Sequence, residues 1–378
     1  MNTTSLAPKE RILRTIAGEP VDRIATIGGW MNSVRNMADL AGITPEQYLA
    51  NPLGGVVAAN RALCVDAMIA PVIPRRLEDI RSGHISEADH PNVEPEALLQ
   101  AADRIPGSDE GILRGFDAAA EEAHFRAYFD TVATHWQGIV PIPNFWEIGG
   151  HFPLYSEYGY HAFLMACALY PEAVERLWYA KSLISRQRAH ILAGLYRELD
   201  LVKLMFCGED VCNNSGPMVA PAFLRKHYFP TVRMIMEPLL DIGVRFIHHC
   251  DGDVRPVLQD YLDLGFSGFQ GFQYELGVDL FELFRLRSAK GERLLFFAGM
   301  SVTRTLPFGT PDDVRAEVDY LVDATGGGQG MFLFTSNVTG VEVPPENLRT
   351  AYHYAASIRP SPRQASPRPW PWGVSHKL

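Results

Sequence analysis

With 378 residues, 47% apolar and 21% charged, the chain has the make-up of a globular protein and not of a disordered, collagen-like or coiled-coil one. Its formal charge of -10, from 44 Asp and Glu against 34 Lys and Arg, offers no attractive field to nucleic acid or to an anionic membrane. Small molecules and other proteins are therefore the expected partners.

No uninterrupted apolar run approaches the roughly eighteen residues of a spanning helix, and residues 1–14 lack the apolar centre of a secretory signal. Cys64, Cys167, Cys207, Cys212 and Cys250 are an odd set without disulfide-like spacing, which fits a reducing cytoplasm, the expected location.

Along the chain, Ile12, Leu13 and Ile16 recur at helical spacing over 8–17, and Gly18-Glu-Pro stops that helix. A first strand is expected over 24–27, ended by Gly28-Gly29, and helical patterns at 45–47 and 53–63 precede a second strand over 67–73. Residues 75–112 are polar, with Gly, Pro and His, and read as a long loop of the kind that serves as a lid or binding loop. From there helix and strand alternate. Helix 117–134 leads to strand 138–142, helices 161–167 and 172–199 to strand 201–207, and helix 221–243 to strand 244–249. Helix 254–264 leads to a strand near 266–272, helix 279–289 to strand 294–298, and helix 311–324 to strand 331–335, with a last helix over 345–357.

Short apolar runs separated by helices are the signature of buried parallel strands, and eight of them favour a closed (β/α)8 TIM barrel, an α/β fold, over an open doubly wound sheet. No G-x-G-x-x-G follows the first strand and no Walker motif occurs, so nucleotide binding has little support. The expected organisation is one barrel domain over 1–358, with an N-terminal helical extension, and a Pro-rich tail over 359–378. That tail forms no regular element and is expected either to be disordered or to drape over the surface, a homodimer contact being one use for it.

In a parallel barrel the site lies at the C-terminal ends of the strands, so the residues just after each apolar run matter most. The fourth and fifth ends, with Cys207, Glu209 and Asp210 and with His248, His249, Cys250 and Asp251, carry most of the ionisable groups. Residues two apart in an extended chain share a side, so in Phe246-Ile-His-His-Cys-Asp-Gly either His249 acts with Asp251 or His248 acts with Cys250. Each pair is a two-ligand arm for a divalent metal such as Zn2+, with Glu209 or Asp210 as the nearest acidic third ligand. The competing reading is a histidine hydrogen-bonded to a barrel carboxylate without metal. Glu209 and Asp210 either repel, making one an acid/base or a metal ligand, or divide between capping the next turn and facing solvent.

The catalytic candidates are thus Asp210 and His249. The metal candidates are Glu209, His249 and Asp251, with Cys250 in the other register. Trp30, Asn144, Phe145, Trp146, Gln273 and Asn337 at other strand ends are substrate-binding candidates. Trp30, Phe145, Trp146 and Phe272 either wall an apolar pocket or line a buried rim.

Several motifs run in order over most of the chain: Lys9-Glu-Arg-Ile-Leu, Gly18-Glu-Pro-Val-Asp-Arg, Gly208-Glu-Asp, Gly216-Pro and Pro221-Ala-Phe-Leu-Arg, then His249-x-Asp-Gly, Leu306-Pro-Phe-Gly-Thr-Pro and Val343-Pro-Pro-Glu-Asn. Together they resemble the uroporphyrinogen decarboxylase superfamily. The resemblance implies a (β/α)8 barrel and either porphyrinogen decarboxylation or zinc-dependent methyl transfer involving corrinoid proteins or thiols. The decarboxylases carry an arginine-rich signature after the first strand, where this chain has Gly28-Gly-Trp-Met-Asn-Ser-Val-Arg with only Arg35, and a histidine where it has Asn337. The thiol-activating methyltransferases carry His-x-Cys-Gly at the fifth strand and a second cysteine near the last. Here, aligned on Gly252, Asp251 meets the first cysteine, whereas aligned on His248-x-Cys250 the thiolate is kept with one residue inserted before the glycine, and in either register the last strand has no cysteine.

The resemblance therefore implies the corrinoid-dependent branch, which takes a methyl group from a methoxy or methylamine-like donor, O-demethylation included. It implies a carboxylate-rich Zn2+ site drawn from Glu209, Asp210, His249 and Asp251, and a corrinoid carried by a partner protein. The alternatives are a metal-free decarboxylase or lyase working through Asp210 or His249, with Arg35 or Arg75 holding a substrate carboxylate, and a non-catalytic binding barrel.

Overall fold

Eight parallel strands with helices around them build an α/β fold of the TIM-barrel kind, and the computed structural model describes residues 5–77, 91–149 and 154–372. The strands are β1 (Ala25–Gly28), β2 (Ala67–Met68), β3 (Val140–Pro141), β4 (Leu204–Gly208), β5 (Arg245–Cys250), β6 (Phe266–Gly271), β7 (Leu295–Met300) and β8 (Met331–Thr335). They coincide with the eight apolar runs of the sequence. The run expected over 67–73 stops at Met68, because Ala70 takes a φ of 34° and Pro71 has no N–H for a ladder.

The described residues fall into two compact units. The first draws on 5–77, 130–143 and 267–372, and its strands lie in the order β3-β2-β1-β8-β7-β6. A buried ion cluster ties its N-terminal helix Pro8–Ala17 to the start of β1 and β2. The Arg11 guanidinium bonds Asp22 at 2.7 Å and Asp66 at 2.5 Å, Arg23 bonds Asp66 at 2.9 Å, and Asp66 also accepts the Thr26 N–H. Burial pushes the Asp66 carboxyl up while Arg23 and Arg11 hold it down. The Asp22-Arg23 pair of the sequence motif is thus part of the scaffold. The expected helix 279–289 shrinks to Leu280–Leu283, since the Ser288 hydroxyl captures the N–H groups of Lys290 and Glu292 in a turn. From Arg359 to Trp372 the tail has no regular element and drapes over this unit: Ser361 and Arg363 donate to Gly327 and Gly326, and Trp370 packs edge-on against Tyr274.

The second unit draws on 91–129, 144–149 and 154–266. It pairs β4 with β5 and packs the long helix Pro171–Glu198 against Phe229–Leu240 and Glu96–Asp103. The expected loop over 75–112 is corrected here: Glu96–Asp103 and Asp109–Leu113 are helices, with Leu98 and Ala102 buried and Arg176 bonding the Ala102 and Ile105 carbonyls; 78–90 lie outside the described residues. Eight residues with two good apolar anchors were too short a period to stand out from polar flanks. The helix expected over 221–243 contains a π-helical turn, Leu224–Tyr228, followed by Pro230, which has no N–H to restore the α pattern at once. No helix among the described residues is long and apolar enough to cross a membrane.

In the first unit, Glu317 of helix Pro311–Ala324 is fully buried and accepts the Ser301 N–H at 2.7 Å and the Tyr274 hydroxyl. Burial pushes its carboxyl up to about 7, against the hydrogen bonds of Thr305, Tyr274 and Ser301 and with Glu275 adding to the rise. The folded pKa lies above the unfolded one, so the stabilising contribution of the protonated carboxyl is complete below the ordinary value of 4.5 and is lost as pH rises through about 7. Wild-type stability, read from urea midpoints, should accordingly fall on the order of 3 kcal/mol further between about pH 5 and about pH 8 than that of Glu317→Gln.

Candidate metal centre at the ends of β4 and β5

Apolar residues carry the middles of β4 and β5, and the ionisable groups cluster where the strands end. The parallel register sets Phe206 beside Ile247, Cys207 beside His248 and Gly208 beside His249. Paired residues of parallel strands share a face and neighbours along a strand alternate, so Gly208, Asp210, His249 and Asp251 point one way while Cys207, Glu209, His248 and Cys250 point the other.

On the first face, His249 Nε2 lies 3.9 Å from Asp210 Oδ1 and 3.8 Å from Asp251 Oδ1. One ligand atom from each of the three residues lies within 4.8 Å of the others. The Asp251 N–H donates to Asp210 Oδ1 at 2.9 Å, which ties the two strand ends together through the carboxylate. The imidazole is buried and stacks on Phe206 with ring centroids 5.8 Å apart, whereas the Asp210 and Asp251 side chains are 44% and 37% exposed. One imidazole nitrogen and two carboxylate oxygens are donors that Zn2+ accepts, and donors around a tetrahedral Zn2+ stand about 3.3 Å apart, so small side-chain rotations close this set around an ion. Three protein ligands would leave a fourth position for a small molecule.

Trp146 walls this face. Its indole N–H donates to the Gly208 carbonyl at 2.8 Å, its ring meets Phe206 edge-on, and it remains 46% exposed. A Cβ on Gly208 would lie 2.6 Å from the indole Cζ2, so the close approach depends on that glycine. Tyr155, absent from the sequence candidates, stacks on Tyr160 at 4.0 Å; burial first, then Tyr160, then the charge of Asp210 push its hydroxyl up.

On the opposite face, Glu209 accepts the Tyr228 hydroxyl and lies 3.7 Å from His248 Nε2. Burial holds the His248 pKa below the ordinary range, with Glu209 opposing it. Cys250 Sγ contacts the Asp251 carbonyl at 3.1 Å, and burial, with Cys212 beside it, pushes that thiol up. Of the expected metal residues, then, His249 and Asp251 come together with Asp210, while Glu209 and Cys250 face away from them. Alternation along the strand puts Glu209 on the face opposite Gly208 and Asp210, but that its donor is Tyr228 comes only from the structure.

Asn144 caps the helix Phe145–Ile148, accepting the Glu147 N–H and donating to Glu147 Oε1 at 2.9 Å, and burial still pushes the Glu147 carboxyl up to about 7. Phe145 is buried against Phe246. In the first unit, Trp30 packs on Phe334, Gln273 precedes the turn Tyr274–Leu276, and the Asn337 side-chain oxygen Oδ1 accepts the N–H of Val338. Arg35 and Arg75 are exposed.

No protein-family model and no curated protein matches the chain. Among solved structures, a methyltransferase from Methanosarcina mazei is similar over 93% of this chain and 98% of its own, with a TM-score of 0.59 and 16% sequence identity. Likeness at that identity speaks to the shared fold.

Past β5 the chain turns at Gly252, whose φ is +85° and whose missing Cβ would sit 2.3 Å from the Asn213 carbonyl oxygen. That carbonyl also takes the Asp253 N–H. Gly252→Ala should cost about 1–3 kcal/mol in urea unfolding, through both the left-handed backbone and the collision.

Proposed function

We propose that the protein is a methyltransferase that takes the methyl group of a small methoxy-type donor and passes it to a corrinoid carried by a separate protein. The observation that carries this reading is the convergence of Asp210, His249 and Asp251 at the C-terminal ends of two adjacent barrel strands, the place where barrels of this kind do chemistry. Likeness in fold to a methyltransferase supports it.

Asp210, His249 and Asp251 would hold a Zn2+ ion, and that ion when bound supplies a Lewis acid for the oxygen that leaves as the methyl group departs. His249 would contribute an imidazole nitrogen, and its ring plane is set by the stack on Phe206. The two carboxylates offset the charge of the cation, and the Asp251 N–H holds Asp210 in place. The exposed indole of Trp146, braced on Phe206 and Gly208, receives the apolar part of the donor. Asp210 and Asp251 are open enough for a small molecule to reach them.

Protein purified without chelator should carry about one equivalent of metal, and His249→Ala should lose it together with about a hundredfold or more of the methyl transfer from a methoxy donor to reduced cobalamin. Less than about a tenth of an equivalent, unchanged in the variant, would overturn the metal assignment.

A further inference from the structure

The face of the β4–β5 pair turned away from Asp210, His249 and Asp251 carries a second polar group. Glu209, His248 and Tyr228 are each no more than 2% exposed. The Tyr228 hydroxyl donates to one oxygen of Glu209, the other oxygen lies 3.7 Å from His248 Nε2, and the His248 ring stacks on Tyr261 at 3.7 Å. Two of these residues are chain neighbours of the proposed ligands, since Glu209 precedes Asp210 and His248 precedes His249. The Glu209 N–H also donates to the His249 carbonyl at 3.0 Å, so any shift of the Glu209 backbone moves both strand ends. A carboxylate enclosed this deeply needs a donor, and the π-helical turn Leu224–Tyr228 brings one.

We propose that Tyr228, Glu209 and His248 are positioning residues whose hydroxyl, carboxylate and imidazole, gathered behind the strands, fix the aim of Asp210 and His249 at a divalent cation. The inference rests on the metal reading given above. Groups behind metal ligands typically govern affinity by about 10–100-fold. The arrangement makes a narrower demand as well: what residue 209 must do is accept the tyrosine hydrogen bond, so glutamine should serve there and alanine should not.

The test uses the full chain and four proteins: wild type, Tyr228→Phe, Glu209→Ala and Glu209→Gln. Zn2+ affinity is read by competition with a chromophoric chelator, ligand geometry from the visible bands of Co2+-loaded protein, and strand-end order from amide hydrogen exchange at Glu209 and Asp251 without metal. Tyr228→Phe and Glu209→Ala should each weaken Zn2+ binding about tenfold or more, alter the Co2+ bands and speed exchange at both amides, while Glu209→Gln stays within about threefold of wild type. Wild-type behaviour of Tyr228→Phe on all three measures would overturn the proposal, as would equal impairment of the glutamine and alanine variants. Should wild type itself bind no metal, the metal reading falls. The exchange rates of the unloaded proteins still decide whether this chain orders the strand ends. If Glu209→Ala does not fold, the comparison of Tyr228→Phe, which loses a single oxygen, with Glu209→Gln decides between the two outcomes.

Discussion

The parallel pairing of β4 with β5, with Gly208 opposite His249, decides where every polar group at these strand ends goes. A slip of one residue would send His249 towards the helices and His248 to the open side, because side chains alternate along a strand. In the observed register, the half-exposed carboxylates and the buried imidazole meet at a place a small molecule can reach. The enclosed Glu209 and His248 meet Tyr228 and Tyr261 instead. Neighbouring residues at the end of the fifth strand therefore serve two environments, one open and one enclosed.

In the first unit the starts of β1 and β2 are organised by charge. Arg11, Asp22, Arg23 and Asp66 satisfy one another away from solvent and fasten the N-terminal helix to β1 and β2 in the first unit. Opening such a cluster by removing one partner leaves an unpaired buried charge, which is costly. Rigidity at the N-terminal ends and chemistry at the C-terminal ends is the division of labour that barrels of this kind share.

Much of this was legible in the amino-acid sequence, and the exceptions have physical reasons. β4, β7 and β8 are apolar runs bounded by helices, and β5 carries an apolar pair, Phe246-Ile247, between helices, so their positions came directly from pattern. β2 was overextended because apolar character continues past Met68 while Ala70 and Pro71 end the ladder, a backbone effect that hydrophobicity does not register. The helix Glu96–Asp103 was hidden by polar surroundings. At the site, the pairing of His249 with Asp251 was one of two registers open to alternation, and only the strand partner chooses between them. Glu209 and Asp210, adjacent in the chain, go to opposite faces, which a reading of the pair as one acidic unit passes over. Tyr228 and Tyr155 come from distant segments, and nothing in their local sequence marks them.

The indole of Trp146 lies where a side chain on Gly208 would have to be. The two positions are therefore a single unit of variation. A larger residue at 208 is compatible only with a smaller or differently turned one at 146, and the shape of the wall beside His249 changes in steps, by exchanging the pair, more readily than by adjusting either member alone. Redesign of the wall beside His249 should begin with double substitutions at these two positions.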